Sequence, residues 1–356
     1  MKNMLNWAIL FPVLAWVAFL LGWTDGSLWL QVITGGLLMG AVISGVHHSE
    51  VIATRVGEPF GTIVLAIAIT IIEVALIVSL MMSGGDKALY LARDTVFSAV
   101  MLILNAIIGI CILVGSAKHF EQSFQRASVN TALVSLMAIL VLTLVLPNYT
   151  TSVNGPRYSE AQLIFIAFAC LVIYGTFLLV QTVRHKNYFL SLDQPVKESS
   201  HPVPSSQKVL VSLIFLLLSL GVVVLLAKAF SPTIESAVIA AGLPSSLVGI
   251  LIAIVVLLPE GMAAIAAARK NNLQTSLNLA LGSALASIGL TIPSVAIVCY
   301  VFDIDIILGL DMKSMVLLAL SVFTVMLSLS KGKTNILYGV VLLVNLVAYI
   351  FTVIFP

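Results

Sequence analysis

The sequence predicts an all-α integral membrane protein of eleven transmembrane helices, one N-terminal helix followed by two inverted five-helix repeats. Three observations carry that expectation. Of the 356 residues, 60% are hydrophobic and only 9% charged, a balance that no soluble domain of this length shows. Eleven apolar segments come close to the ~20 residues that a membrane-spanning helix requires. Each half of the chain also places one glutamate, Glu73 or Glu260, inside such a segment.

In chain order the segments lie near 7–23, 28–47, 59–82, 92–116, 128–147, 161–183, 208–230, 245–268, 274–302, 313–330 and 335–355. The first follows Lys2 as a signal peptide would. It contains Pro12, Trp16 and Trp23 and no small-residue cleavage site, so it is expected to be a retained helix. The 17 Lys and Arg residues then set the orientation. With the N-terminus in the cytoplasm, Lys2, Arg55, Lys118, Arg126, Arg184, Lys186, Lys197, Lys208, Arg269, Lys270, Lys331 and Lys333 face inward. Lys87, Arg93, Arg157, Lys228 and Lys313 face outward, and the C-terminus lies outside, as the positive-inside rule requires.

The longest polar stretch, 184–207, carries Pro195, Pro202, Pro204 and several serines and is expected to be a cytoplasmic linker. It divides the chain into an N-terminal helix (1–27), a first repeat (28–183), the linker (184–207) and a second repeat (208–356). Five helices per repeat force the two repeats into opposite orientations, the arrangement of many secondary transporters. Cys111, Cys170 and Cys299 are isolated in apolar segments, which supports neither a disulfide framework nor a zinc site. A net charge of +2 suggests no nucleic-acid partner.

A duplicated motif supports the repeat. Glu50, six residues, Gly57, one residue and Pro59 precede the third segment; Glu235, six residues, Gly242, one residue and Pro244 precede the eighth. The membrane glutamate follows the glycine by 16 residues in one copy and by 18 in the other. A charged side chain near the bilayer centre costs roughly 2.5–3.5 kcal/mol on insertion scales, so such residues usually belong to an ion or proton pathway. Glu50 and Glu235, near helix ends, are candidate gating acids at opposite mouths of that pathway, or simply solvated helix-end acids.

At these residues the chain resembles a known family. The run Arg55 to Thr62 (RVGEPFGT), Ile71-Ile72-Glu73, Arg93-Asp94-Thr95, Leu258-Pro259-Glu260-Gly261 and Leu281-Gly282-Ser283 is similar to the bacterial ChaA-type branch of the calcium/proton exchanger family. The likeness extends over nearly the whole chain, including Phe11-Pro12, Tyr174-Gly175, Gln181 and the Gly332 to Asn335 turn. It implies an antiporter of the bacterial inner membrane that exchanges protons for calcium, and in this branch also for sodium or potassium. It implies no cofactor; the partners are inorganic cations, protons and the lipid bilayer, and a homo-oligomer is compatible with it. The family's central carboxylates correspond to Glu73 and Glu260, and its gating acids to Glu50 and Glu235. The sequence departs from the wider family's G-N-A-x-E signature, since Ile69 to Ile72 precede Glu73 and Val256 to Pro259 precede Glu260.

The chemistry of the residues agrees. Calcium takes six to eight hard oxygen ligands, and the two glutamates supply charge to one expected cation site. Pro259 frees the Val255 carbonyl from its helical bond, while Thr70, Asn105, Ser283 and Ser287 offer further oxygens, or serve only as helix-packing polar groups. His47 and His48 are expected at a water-facing helix end, and Asp303, Asp305 and Asp311 in an acidic outer loop. A sodium/calcium exchanger is the nearest alternative and a passive cation channel the next. An intramembrane enzyme lacks support, because the chain has no H-E-x-x-H and no nucleophile with a helical His partner.

Overall fold

A computed structural model describes residues 2–57, 60–81, 88–190, 204–242, 244, 246–302 and 304–355. It is nearly all helical, because backbone groups in hydrocarbon must be satisfied within their own segment. Among the described residues, nine helices are long and apolar enough to cross a membrane. The chain forms two compact units, Met1–Ala88 with Lys197–Gly242 and Leu89–Val196 with Leu243–Pro356. Pro59, Lys87, most of the linker and Asp303 lie outside the described residues, as do the side chains of Ser79 and Glu235.

The first unit comprises α1 (Lys2–Leu20), α2 (Leu28–Val56), α3 (Phe60–Met81) and α8 (Ser206–Ala240). Helix α2 packs against the other three. A Cβ on its Gly40 would fall 2.3 Å from the Phe11 ring, so glycine is what lets α1 approach this closely. Ser44 donates to the Ala8 carbonyl, the Trp16 indole N–H to Leu218 O at 3.0 Å, and Arg55 to Pro204 O at 3.0 Å.

Two helices outrun their apolar segments. The second, expected to stop near residue 47, continues to Val56, and the seventh, expected to stop near 230, continues to Ala240 despite Pro232. Each is followed by a positive-φ glycine of the duplicated motif, Gly57 at φ 75° and Gly242 at φ 70°. This conformation is one that only glycine adopts without strain. A positive-φ glycine thus follows the helix in both copies of the motif. The longer α2 also corrects the histidine expectation: His48 is 1% exposed, its Nε2 3.2 Å from the Ala8 carbonyl and its ring stacked on Phe215.

The second unit is built around a single span, Leu89–His119, whose apolar window is 83% buried against 22–56% for the other candidate spans of the chain. It consists of α4 (Ala88–Met101), a π-helical turn (Leu102–Ile107) and α5 (Ile108–His119). Around it stand α6 (Arg126–Leu140), α7 (Glu160–Leu179), α9 (Ser246–Arg269), α10 (Leu273–Phe302), α11 (Met312–Leu329) and α12 (Ile336–Ile354). Gly109 and Gly339 form a close crossing of α5 and α12. A two-residue antiparallel ladder pairs β1 (Gln122–Ser123) with β2 (Lys333–Thr334).

The loops of this unit sort to two ends. At one, Lys118 and His119 donate to Arg269 O, Gln122 to Ala268 O and Asn278 to Phe189 O. At the other, Ile307 N–H reaches Leu89 O, Gly309 N–H reaches Pro156 O, Arg93 reaches Gly309 O, and Arg157 pairs with Asp305 at 3.2 Å. The first end carries Lys118, Arg126, Arg184, Lys186, Arg269, Lys270, Lys331 and Lys333, the second only Arg93, Arg157 and Lys313. The charge asymmetry read along the sequence is thus preserved across the folded unit.

Candidate functional site

Helix α9 runs unbroken from Ser246 to Arg269 with Pro259 inside it. Proline lacks an N–H, so the Val255 carbonyl one turn earlier has no helical donor there. Gly261 follows Glu260 at once, and a Cβ there would meet Ile107 of the π turn at 3.4 Å, so α9 and that turn are in contact beside the glutamate. Glu260 is half-buried, and the Ser283 hydroxyl of α10 donates to its Oε2. The structure thus brings together two of the residues singled out in the sequence, Glu260 and Ser283.

Ser283, Ser287 and Thr291 recur at four-residue spacing on α10, which places them on one helix face. Ser287 is 5% exposed and Thr291 fully buried. Thr34 and Thr143 hydrogen-bond the carbonyl four residues back, at 2.7 Å each. Thr291 does not, and its hydroxyl has no partner among the described residues.

Asn105 lies inside the π turn of the central span, fully buried. Its Nδ2 donates to Met101 O at 3.0 Å and to Ser321 Oγ of α11 at 2.9 Å, while its Oδ1 has no partner among the described residues. The π turn widens the helix locally, as such turns often do at functional sites. Ser321 was not singled out from sequence; a small polar residue in an otherwise apolar helix was its only signal. Tyr174 of α7, named above with Gly175, is 4% exposed and lies against Gly289 of α10, where a Cβ would fall 3.0 Å from it.

In the first unit, Glu73 is 3% exposed on α3 with Thr70 buried one turn before it. An acid this enclosed in an apolar helix serves packing poorly, which fits a role in ion or proton binding. Glu50 is exposed, inside the last two turns of α2 rather than at its end, and Glu235 lies within α8. In each unit the candidate donors are oxygens, the ligand set suited to hard cations and to proton exchange.

Comparison with known proteins agrees with this chemistry. The chain is 46% identical over 318 residues to the y4hA protein of Sinorhizobium fredii (strain NBRC 101917 / NGR234), covering 89% of this chain and 86% of that one. It is 31% identical over 354 residues to the sodium-potassium/proton antiporter ChaA of Escherichia coli (strain K12), covering 97% and 95%. Its fold matches the crystal structure of the H+/Ca2+ exchanger CAX with a TM-score of 0.73 at 16% identity, covering 99% of this chain and 89% of that one. The family profile described as sodium/calcium exchanger protein matches residues 26–183 and 211–355, and the chain belongs to that family.

Proposed function

We propose that this protein moves calcium, and sodium or potassium as further cargo, against protons, with Glu73 and Glu260 as the carboxylates that bind the ion. The chain is a secondary cation/proton antiporter, not an enzyme. The observation that carries the residue assignment is the repeated one: a helix followed by a positive-φ glycine, Gly57 or Gly242, then an apolar helix bearing a glutamate. Thr70, Asn105, Ser283, Ser287 and the Val255 carbonyl are the supporting oxygens, with Glu50 and Glu235 as gating acids.

Coupling needs no separate proton channel, because a cation and a proton compete for the same carboxylate. Two ionised glutamates balance one divalent cation, and two protons balance them equally, so either loaded form carries less charge through the bilayer than the empty one. Antiport follows when the protein reorients only in a loaded form. Eleven helices cross the inner membrane in this reading, the nine candidate spans together with α1 and α3. The cation-rich end of the second unit faces the cytoplasm, and so does the N-terminus; the C-terminus lies outside.

The test is fluorescence dequenching in everted membrane vesicles, adding each cation to a respiration-driven pH gradient. Wild-type protein should collapse the gradient with its cargo ions, while Glu73→Gln and Glu260→Gln should be inactive yet normally inserted. Wild-type rates in either variant would overturn the assignment, and cation flux without proton movement would favour a channel.

A further inference from the structure

The second unit carries a groove whose lining includes none of the proposed ion-site residues. It lies between α7 and α10, has a volume of about 390 Å³, and opens beside the end that holds Arg157 and Asp305. Its floor is made of small side chains, Ala167 on α7 and Ala296 on α10. Phe168 and Tyr300, 64% and 66% exposed, stand along it as aromatic walls. The lining reaches from Glu160 to Leu171 on α7, a rise of about 16 Å at 1.5 Å per residue. That length is close to half of the ~30 Å hydrocarbon core, the depth of one leaflet.

The rim is polar and of mixed sign. Arg157 donates through Nε to Asn154 O and through Nη1 to Asp305, which leaves part of its five-donor fork for a further acceptor. Glu160 and Asp305 are both exposed at the same mouth. Tyr158, also in the lining, has its hydroxyl committed to Leu142 O at 2.5 Å and so serves as wall rather than donor. Among the described residues the mouth holds one guanidinium beside two carboxylates, a balance that repels a purely anionic head group. It matches one that carries a phosphate and an ammonium together.

We propose that this groove binds a single zwitterionic aminophospholipid, its phosphate on Arg157, its ammonium between Glu160 and Asp305, and one acyl chain along the α7–α10 trough. Guanidinium pairs with phosphate in fork geometry, and the chain fills a depression that a flat helix face would not offer. Tyr158 and Tyr300 stand at the polar end of the lining, and amphipathic rings of this kind favour the membrane interface.

Native mass spectrometry tests this without reference to transport. The protein is reconstituted in vesicles of equal phosphatidylethanolamine and phosphatidylglycerol with matched acyl chains, extracted in mild detergent, and the retained lipids are counted. One phosphatidylethanolamine per chain should be kept with about tenfold preference, the worth of one charge-assisted contact. The Glu160→Gln, Asp305→Asn double variant should erase the preference, and Ala167→Trp, which plugs the floor, should remove the lipid itself. Ala296→Trp plugs the groove from the opposite helix and serves if the first plug does not fold. Equal retention of the two lipids by wild type, or full retention in a folded plugged variant, would overturn the proposal. So would a plug that shifts oligomeric mass while lipid stays, since the groove would then seat a second copy.

Discussion

Replacing Ser283 by alanine isolates one interaction at the proposed ion site. The substitution removes the hydroxyl that donates to Glu260 Oε2 and leaves α10 otherwise intact, alanine being a better helix former than serine. A hydrogen bond to a charged group contributes about 1.5–3 kcal/mol. Ser283 is half-buried, so water can take over part of that role and the lower figure applies. At about 1.4 kcal/mol per decade, the cation concentration for half-maximal exchange should rise about tenfold. The measurement is dequenching against cation concentration in everted vesicles, with Ser283→Thr expected to restore wild-type behaviour. Ser276→Ala is the control on the same helix, because that hydroxyl donates to the Ala264 carbonyl at 2.8 Å and touches no carboxylate. If Ser283→Ala leaves the half-maximal concentration unchanged, or if Ser276→Ala raises it as much, the Ser283–Glu260 bond is structural and the reasoning fails.

Three further outcomes concern stability, read as melting temperature in detergent. Gly339→Ala should destabilise by about 1–3 kcal/mol, since its Cβ would lie 2.7 Å from Leu113 N and 2.9 Å from Gly109 O, backbone atoms that cannot turn aside. Gly175→Ala, on an open face of α7 with nothing within 4 Å, should instead stabilise by roughly 0.5–1 kcal/mol; equal melting shifts would contradict the packing at the α5–α12 crossing. Asp311→Ala removes the N-cap that accepts from Ser314 N–H, a loss of about 0.5 kcal/mol at this exposed position. Burial pushes the Asp311 carboxyl up, but the Ser314 hydrogen bonds and Lys313 outweigh it, so it titrates below the ordinary aspartate range. The cap therefore acts in full above about pH 4 and fades as pH falls through the lowered value. The melting difference between wild type and variant should shrink correspondingly in acid; a difference independent of pH would rule out the charge as its source.

The helices were legible because apolar length is a strong signal, and Glu73 was legible because a lone acid in such a run stands out. The ends of α2 and α8 were not. Their last turns carry Thr54, Arg55 and Ser236, residues that a helix accepts wherever one face meets water, so hydropathy falls before the helix does. The π turn at Leu102–Ile107 leaves no compositional mark, since a shift in hydrogen-bond register uses the same apolar residues. His48 was misjudged for a related reason: its ring is covered by α1 and α8, and its hydrogen bond is to Ala8, forty residues away in sequence. The cap that Gln122 supplies to Ala268 spans 146 residues and is equally invisible to local pattern.

The two membrane glutamates differ in their surroundings, and that difference bears on how an ion would be handled. Glu73 is almost wholly enclosed and follows Ile71 and Ile72, with no proline or glycine within a turn to open its helix. Glu260 is half-buried, stands between Pro259 and Gly261, accepts from Ser283 and has the freed Val255 carbonyl one turn away. Stripping water from a cation requires replacement oxygens that become available in steps. A carboxylate with one accessible side and neighbouring hydroxyl and carbonyl groups suits the first of those steps. An enclosed carboxylate can take up only an ion that has already lost most of its water, or a bare proton. On the proposed mechanism, Glu260 and its partners therefore govern capture and choice of cation, whereas Glu73 governs whether the loaded state is neutral enough to cross. Substitutions around Glu260 should then alter ion preference, and those around Glu73 the coupling to protons.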